Sequence, residues 1–258
     1  MKKILIIPVV LLSVSSFFLT SCGNSDATTA MKSPAPKNTE SVNQKENKES
    51  GENESKDDEN TSVVNQVSAV TGDNAKAKTI DNMQAAFKGE TTASAKYAAY
   101  SKKAEQEGYH EIALLFKAAS TAENIHANNH KAVLLESGVS VPVIQPEYTT
   151  KSTKENLADA IKGETYEVTT MYPEFLTTAN QAGDQLALIS LNYAYKTEKK
   201  HKVMYENALS ALQNNTVKTL PTVFYVCPTC GNTYETTAPA RCGISMTSSE
   251  KFIKIISL

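Results

Sequence analysis

Apolar and polar residues divide the 258-residue chain into four stretches. An apolar run from Ile4 to Leu19 follows two lysines and is too short for a typical membrane span, which is the layout of a signal peptide. Residues from about 23 to 77 are mostly Asn, Ser, Thr, Glu and Lys, which bury too little apolar surface to offset the entropy of ordering. Long helix-compatible runs and a short tail with cysteines follow. We therefore predict a signal peptide over residues 1–21, a disordered tether over 22–77, a helical domain over 78–215 and a small metal-binding domain over 220–258.

Four helices are predicted in the helical domain. Gly108 and Gly183 each interrupt a long helix-compatible run, and glycine commonly follows a helix end, so each marks the turn of an antiparallel hairpin. The prolines between the two hairpins cannot extend a helix, and Pro173 predicts a kink inside the third one. The predicted elements are helix A from Thr79 to Glu107, helix B from Tyr109 to Ser137, a crossover from Val139 to Ser152, helix C from Thr153, its N-cap, to Ala182, and helix D from Asp184 to Gln213.

A pattern of glutamate followed by Glu-x-x-His occurs once in each hairpin. Glu90 precedes the first such motif by 33 residues and Glu164 precedes the second by 34. At about 1.5 Å per residue, the glutamates of both arms lie roughly 22–28 Å from their turn, and residues three apart share a helix face. A single glutamate is usually a solvated surface charge, but this duplicated spacing is what a four-helix bundle needs to bind two metal ions. The predicted ligands are Glu90, Glu123, His126, Glu164, Glu167, Glu198 and His201.

Two hairpins joined by a long crossover match the ferritin-like connection pattern. The predicted fold class is therefore all-α, a ferritin-like four-helix bundle with a long B–C crossover, followed by a small β domain. His110 and His130 are interpreted as ordinary surface or packing residues, because the ligand set is complete without them.

The C-terminal tail contains a metal knuckle. Cys227 and Cys230 are separated by two residues and followed by a glycine, and Cys242 begins a second, similar segment. A tetrahedral site of four sulfurs needs four cysteines, and Ser245 occupies the place of the fourth. A redox pair or a disulfide would also use Cys-x-x-Cys. The aromatic residues that flank the cysteines, and the second segment that begins at Cys242, favour a site for iron or zinc over a redox pair or a disulfide.

The segment Leu19-Thr20-Ser21-Cys22 resembles a bacterial lipobox, which would make a lipidated Cys22 the mature N-terminus. The alternative is an ordinary secretory peptide with a chance cysteine. We expect a lipoprotein of the cell envelope, held at a membrane by its lipid anchor only and located outside the cytoplasm. Detergent-phase partition of the wild type and of Cys22→Ser would distinguish the two alternatives.

Composition excludes some classes of partner. The formal net charge is −2 and the only arginine is Arg241, so no basic stripe indicates a nucleic-acid surface. No glycine-rich loop that would bind phosphate follows a predicted strand.

Residues 79–258 resemble a rubrerythrin, which joins a di-iron four-helix domain to a rubredoxin-like domain. The resemblance implies that the seven predicted ligands hold two iron ions, and that Glu167 and His126 exchange on one of them when it changes oxidation state. It also places Tyr97 and Tyr172 beside the cluster as catalytic residues, although core packing explains Tyr172 equally well. The knuckle residues Cys227, Cys230, Cys242 and Ser245 would hold one further iron, or zinc.

The resemblance implies reduction of hydrogen peroxide to water at the di-iron centre. Electrons would come from an exported or membrane-bound donor through the rubredoxin-like site, and the protein would be a homodimer. Two alternatives use the same bundle: an iron-binding or storage lipoprotein, and a ferroxidase.

Overall fold

The structure is a computed structural model that describes residues 58–258, with side chains from residue 71 onward. The predicted signal peptide, Cys22 and residues 22–57 of the predicted tether lie outside the described residues. Among the helices that are described, none combines the length and the apolar character that a membrane span needs.

The described chain forms a helical bundle followed by a small sheet. Its elements are α1 Asp58–Gln106, α2 His110–Glu136, α3 Thr153–Tyr166, a π-helical turn Glu167–Met171, α4 Tyr172–Ala182, α5 Gln185–Gln213, a 3₁₀ turn Val217–Thr219, β1 Phe224–Val226, β2 Thr233–Glu235, a second 3₁₀ turn Ser249–Lys251 and β3 Ile253–Ile255. Helices α1 and α2 form one antiparallel hairpin, and the α3–α4 arm with α5 forms the other. The predicted four-helix bundle with a long crossover and a small β domain is confirmed.

The two hairpin turns follow the predicted chemistry. Gly108 and Gly183 have φ angles of +85° and +68°, a left-handed conformation that glycine adopts without steric cost. Asp184 caps α5 by accepting a hydrogen bond from the N–H of Ala187 at 2.9 Å.

The N-cap of α3 is Ser152, and the prediction of Thr153 was one residue late. The Ser152 hydroxyl accepts from the N–H of Glu155, and the Glu155 carboxylate accepts from the N–H of Ser152. This reciprocal capping box satisfies two backbone N–H groups that the start of a helix leaves without a partner. The box pairs Ser152 with the glutamate three residues later, so Ser152 and not Thr153 is the N-cap.

Helix α1 begins at Asp58, well before the predicted start at Thr79, so it extends into the segment predicted as a tether. The sequence from 58 to 78 contains no proline. Extending an existing helix costs far less than nucleating one, so polar composition alone does not end it.

The third arm of the bundle is interrupted where a kink was predicted. The backbone N–H of Tyr172 bonds to the carbonyl of Glu167, five residues earlier, and Pro173 lies in the first turn of α4. Proline has no N–H to continue the helical ladder, and single π turns of this kind are frequent at functional sites. Glu167, a predicted ligand, is the first residue of the π turn.

The C-terminal sheet has the order β2-β1-β3 with both pairs antiparallel. Phe224 pairs with Glu235 on one side and Ile255 on the other. Phe224, Val226 and Ile255 are buried in the same apolar cluster as Phe116 and Tyr205 of the bundle. These three residues of the sheet therefore pack directly on the helices, while Tyr225 and Tyr234 pack against a second cluster formed by the cysteines and Phe252.

Candidate metal centre

Six of the seven predicted bundle ligands come together in two groups. The first consists of Glu90, Glu123, His126 and Glu198, and the second of Glu123, Glu164, Glu198 and His201. In each group, one donor atom per residue lies within 4.8 Å of the others, and all six residues are buried. Glu123 and Glu198 belong to both groups, so their carboxylates are placed to bridge two metal ions.

The imidazoles face the shared carboxylates through their Nδ1 atoms. His126 Nδ1 lies 2.9 Å from Glu123 Oε2 and 2.8 Å from Glu198 Oε1. His201 Nδ1 lies 3.1 Å from Glu123 Oε1 and 2.8 Å from Glu198 Oε2. The arrangement is symmetric because each Glu-x-x-His motif places its two side chains on one helix face.

The inward-facing donor atoms fit a pair of cations. Several are fully buried and lack a hydrogen bond of good geometry, even where an imidazole nitrogen lies 2.8–3.1 Å away, which is costly for a polar atom in a protein interior. They are Glu90 Oε2, Glu123 Oε1, Glu164 Oε2, both Glu198 oxygens and His201 Nδ1. Carboxylate oxygens with imidazole nitrogens suit iron and related divalent metals, and metal ions at the two group centres would satisfy these atoms.

Protons balance the charges in the metal-free site. Burial, reinforced by the neighbouring carboxylates, raises the pKa of Glu90 and Glu164 well above the usual range. Burial alone would lower the pKa of His201, but the charges of Glu123 and Glu198 outweigh it and raise the pKa to about 9. Burial would raise the pKa of Glu198, but the two imidazolium charges lower it to about 2. Metal ions would have to displace these protons.

Glu167 lies at the edge of the site and in neither ligand group. It is half-buried, and its negative charge is the largest electrostatic contribution, after burial, that raises the pKa of Glu90. It is therefore close to the centre yet held on the π turn, outside the tight cluster. A direct ligand contact of Glu167 stays a prediction.

The two predicted tyrosines both contact ligand carboxylates. The hydroxyl of Tyr97 donates to Glu164 Oε1 at 2.8 Å, and the hydroxyl of Tyr172 donates to Glu90 Oε1 in a short hydrogen bond. Both tyrosines are buried. Each group of ligands therefore has one phenol as a hydrogen-bond donor to a carboxylate.

The cysteine segment contacts the outer edges of both imidazoles. His126 Nε2 lies 3.1 Å from the carbonyl oxygen of Cys230, and His201 Nε2 lies 2.9 Å from the hydroxyl oxygen of Thr233. Partners of this kind fix the ring orientation and tautomer of a metal-binding histidine. His126 thus makes one of the hydrogen bonds that join the bundle to the knuckle, and Thr197 donates another to the same carbonyl at 3.3 Å.

Gly231 permits this close approach. A Cβ atom at this position would lie 2.3 Å from His126 Nε2 and 3.1 Å from the carbonyl oxygen of Ala122, and the residue has φ +74°. The sequence suggested glycine here for the turn of the knuckle. The structure adds the contact with His126 as a second requirement.

The three cysteines of the tail form one buried cluster. Cys227, Cys230 and Cys242 have Sγ atoms within 4.8 Å of one another and form no disulfide. A hydrogen bond with the Cys230 thiol lowers the pKa of Cys227 to about 4. Free thiols at this spacing, one of which is readily ionised, fit a metal ion, and the disulfide alternative is not present in the described chain.

Ser245 occupies the fourth corner of the cluster. The backbone N–H of Gly231 bonds to the carbonyl of Cys227, and the N–H of Met246 bonds in the same way to that of Cys242. Gly231 and Met246 share a left-handed conformation, with φ +74° and +60°. The two turns are therefore equivalent, and Ser245 corresponds to Cys230. Its Oγ lies 3.3 Å from the Sγ of Cys227.

Two further residues of the site were not predicted from the sequence. Tyr205 is fully buried, and its ring packs on those of Tyr97 and His201. His130 is fully buried, and its Nε2 lies 3.3 Å from the Tyr172 hydroxyl. Both follow a ligand histidine by four residues, and that helical spacing was the available signal.

The metal-free protein is expected to lose stability as pH rises. The pKa values of His126, His201, Glu90 and Glu164 are raised in the fold, so their stabilising contribution is full below their unfolded values and is lost as pH rises through the folded values. Glu198, with its lowered pKa, contributes a constant amount above about pH 5. The Tm difference between metal-loaded and metal-free protein should therefore be larger at pH 8.5 than at pH 6. A constant difference would contradict this charge balance.

Gly231→Ala should separate the knuckle from the bundle. The added methyl group clashes with His126 and the left-handed backbone disfavours alanine, which together should cost about 1–3 kcal/mol of stability. Chemical denaturation measures the loss. Gly243→Ala is the matched control, because its Cβ would meet only Tyr234 Oη at 3.8 Å. Equal stability of the two variants would show that the contact with His126 is not tight.

Comparisons with known proteins agree with this architecture. A family model described as Rubrerythrin matches residues 81–209. Rubrerythrin-2 of Clostridium acetobutylicum is 33% identical over 177 residues, which cover 68% of this chain and 96% of the relative. Nigerythrin of Nitratidesulfovibrio vulgaris is 32% identical over 176 residues, covering 67% of this chain and 85% of the relative.

Solved structures give the same result. Nigerythrin in its fully reduced, all-ferrous state superposes with a TM-score of 0.61 at 32% identity, covering 68% of this chain and 86% of that chain. Bacterioferritin of Rhodobacter capsulatus has a TM-score of 0.50 at 20% identity and covers 63% of this chain and 98% of that chain, a likeness of fold alone. By its family model and by these relatives, the chain belongs to the rubrerythrin family.

Proposed function

We propose that this protein is a non-haem di-iron peroxidase that reduces hydrogen peroxide to water. The observation that carries the proposal is the pair of four-ligand groups that share Glu123 and Glu198 in a buried site. Membership of the rubrerythrin family supports it, and the ferrous iron named for a reduced relative, nigerythrin, supports the choice of metal.

The carboxylates of the two ligand groups can balance the positive charge of two ferrous ions. Glu90 and His126 would complete one ion, Glu164 and His201 the other, and Glu123 and Glu198 would bridge them. When bound, two ferrous ions supply the two electrons that cleavage of the peroxide O–O bond requires. Glu167 would be the carboxylate best placed to join or leave the site, because it is half-buried, lies outside both ligand groups and belongs to the irregular π turn.

Reduction of peroxide to two water molecules also consumes two protons, which solvent must supply because Tyr97 and Tyr172 keep their own. Tyr97 and Tyr172 each hold a proton at Oη against a ligand carboxylate. Burial raises the pKa of both phenols well above the usual range, so they stay protonated and act as hydrogen-bond donors. Their role is to orient the carboxylates of Glu90 and Glu164 and to provide a donor beside each metal position.

The knuckle is the proposed entry point for electrons. Its Cys230 carbonyl lies 3.1 Å from His126 Nε2, so a metal held by the cysteines and the bundle site are separated only by one residue and one imidazole. Asn129 adds a second hydrogen bond between the bundle and the knuckle, from its Nδ2 to the carbonyl of Thr229 at 2.9 Å. These contacts keep the knuckle against the bundle, which would shorten the path of an electron between the two centres.

A ferroxidase or an iron store using the same bundle is the second candidate. It would consume oxygen or accumulate ferric iron, whereas the peroxidase consumes one peroxide for every two electrons. The docked knuckle favours the peroxidase, because storage has no need of a second redox centre beside the ligands. Peroxide and oxygen consumption by the reduced protein, with iron counted per chain, distinguishes these activities.

Glu123→Ala should abolish binding of the iron pair, because it removes a carboxylate shared by both ligand groups. Peroxide turnover by the reduced protein should fall by more than about tenfold. Removing a residue that only hydrogen-bonds to a metal ligand commonly lowers activity by that factor, and removing a shared ligand should lower it further. Elemental analysis and a stopped-flow peroxide assay measure both quantities. Glu136→Ala, an exposed position on the same helix, is the control. Unchanged iron content in the Glu123 variant would rule out the assigned centre.

Ser245→Cys should strengthen the metal site of the knuckle. A hydroxyl oxygen is a harder and far less acidic ligand than a thiolate, so three sulfurs and one oxygen should bind iron less firmly than four sulfurs. The variant should retain iron longer against a chelator and show stronger thiolate absorption in the visible spectrum. Ser249→Cys is the control, since it adds a thiol to the same domain outside the cluster. Indistinguishable spectra and retention of wild type and Ser245→Cys would mean that residue 245 is not a ligand.

A further inference from the structure

A buried histidine outside the two ligand groups contacts the site through Tyr172. His130 has no exposed surface, its Nδ1 lies 2.8 Å from Ser190 Oγ, and its Nε2 lies 3.3 Å from the Tyr172 hydroxyl oxygen. That hydroxyl in turn donates to Glu90. Ser190, His130, Tyr172 and Glu90 therefore form a continuous hydrogen-bonded chain that connects helices α5, α2, α4 and α1.

The chain has one consistent direction when Glu90 is a metal-bound carboxylate. A carboxylate only accepts, so the single proton of Tyr172 is directed to Glu90. The phenol oxygen can then only accept from His130, which places a proton on Nε2. A neutral imidazole has one N–H, so Nδ1 is an acceptor and the Ser190 hydroxyl donates to it.

We propose that His130 is a positioning residue of the di-iron centre: as a neutral Nε2–H tautomer fixed by Ser190, it orients the Tyr172 hydroxyl toward Glu90. Without a donor on its oxygen, the Tyr172 hydroxyl could rotate or donate elsewhere. Hydrogen bonds in series also polarise one another, so donation from His130 makes the phenol a stronger donor to the carboxylate.

The surroundings of His130 keep it neutral. Complete burial is the main cause, and the charge of His126 adds to it, so that the pKa of His130 falls to about 3 despite the opposing charge of Glu198. Within the described part of the chain, the hydrogen-bond partners of its ring are two hydroxyl groups, and no carboxylate is among them. A neutral imidazole is therefore present over the whole range in which the protein is expected to work.

His110 provides a natural comparison within the same helix. It has the same side chain and lies at the first position of α2, where its Nδ1 contacts Glu105 at 2.9 Å on the surface. It belongs to neither ligand group. The same substitution at the two positions separates a role at the centre from a general effect of removing an imidazole.

The first experiment reads the tautomer directly. Full-length protein labelled with ¹⁵N is loaded with Zn²⁺, a diamagnetic ion that accepts carboxylate and imidazole ligands, and loading is verified by elemental analysis. The chain has only four histidines, so their ring nitrogens can be assigned by substitution. We expect His130 to carry its proton on Nε2 at pH 7. A proton on Nδ1, or a doubly protonated ring, would overturn the proposal.

The second experiment tests whether His130 acts through Tyr172. It rests on the proposed function, because it measures peroxide turnover in iron-loaded protein. His130→Leu should lower kcat about fivefold, the typical worth of one neutral hydrogen bond, and have no further effect in a Tyr172→Phe background. His130→Gln, which keeps an N–H donor, should recover most of the loss. His110→Leu should leave kcat unchanged.

The outcomes separate the two proposals. Wild-type protein that binds iron but does not reduce peroxide would overturn the proposed function and leave the tautomer measurement as the test of His130. Wild-type activity with equal losses from His130→Leu in both backgrounds would overturn the positioning role. A lowered Tm with unchanged kcat in His130→Leu would also overturn it, because packing alone would then explain the residue.

Discussion

The burial of four glutamates around two histidines is the constraint on which the rest of the structure depends. Glu90, Glu123, Glu164 and Glu198 lie in the middle of the bundle with almost no exposed surface. Isolated charges in such an interior are strongly unfavourable, so the groups must share protons or bind cations. Apolar clusters lie on either side of the site, one around Phe116 and one around Leu191. They exclude water, so that water cannot stabilise the charges in place of protons or cations.

The small C-terminal domain is an extension of the same site. Its sheet packs on the bundle core, and its first knuckle contributes a carbonyl to His126 and a hydroxyl to His201. Both imidazoles are therefore held on one side by the bundle's carboxylates and on the other by the knuckle. A disturbance of the cysteine cluster would reach the bundle ligands through the orientation of these two rings.

The parts of the site that could be predicted from the sequence are those where a pattern repeats. The duplicated glutamate and Glu-x-x-His spacing predicted which side chains would meet, because helix periodicity and two glycine turns determine the relative heights of the arms. It could not show that Gly231 approaches His126, since that contact joins residues more than a hundred positions apart. His130 was interpreted as ordinary because the ligand set is complete without it, and its contacts with Ser190 and Tyr172, which lie on other helices, do not show in the local sequence. The early start of α1 was missed because polar composition resembles that of a disordered segment.

The π turn at Glu167–Met171 determines the direction in which the side chains of α4 point around the axis of the third arm. Tyr172 lies eight residues after Glu164, and at about 100° per residue an unbroken α-helix would leave the two side chains roughly 80° apart around the axis. A wider turn advances the chain by a smaller angle per residue and reduces that offset. Both side chains can therefore point at the same metal pair, Glu164 as a ligand and Tyr172 toward Glu90. The irregular turn acts as an angular spacer, so that removing one residue from it would rotate the whole of α4 while leaving the bundle's apolar content intact.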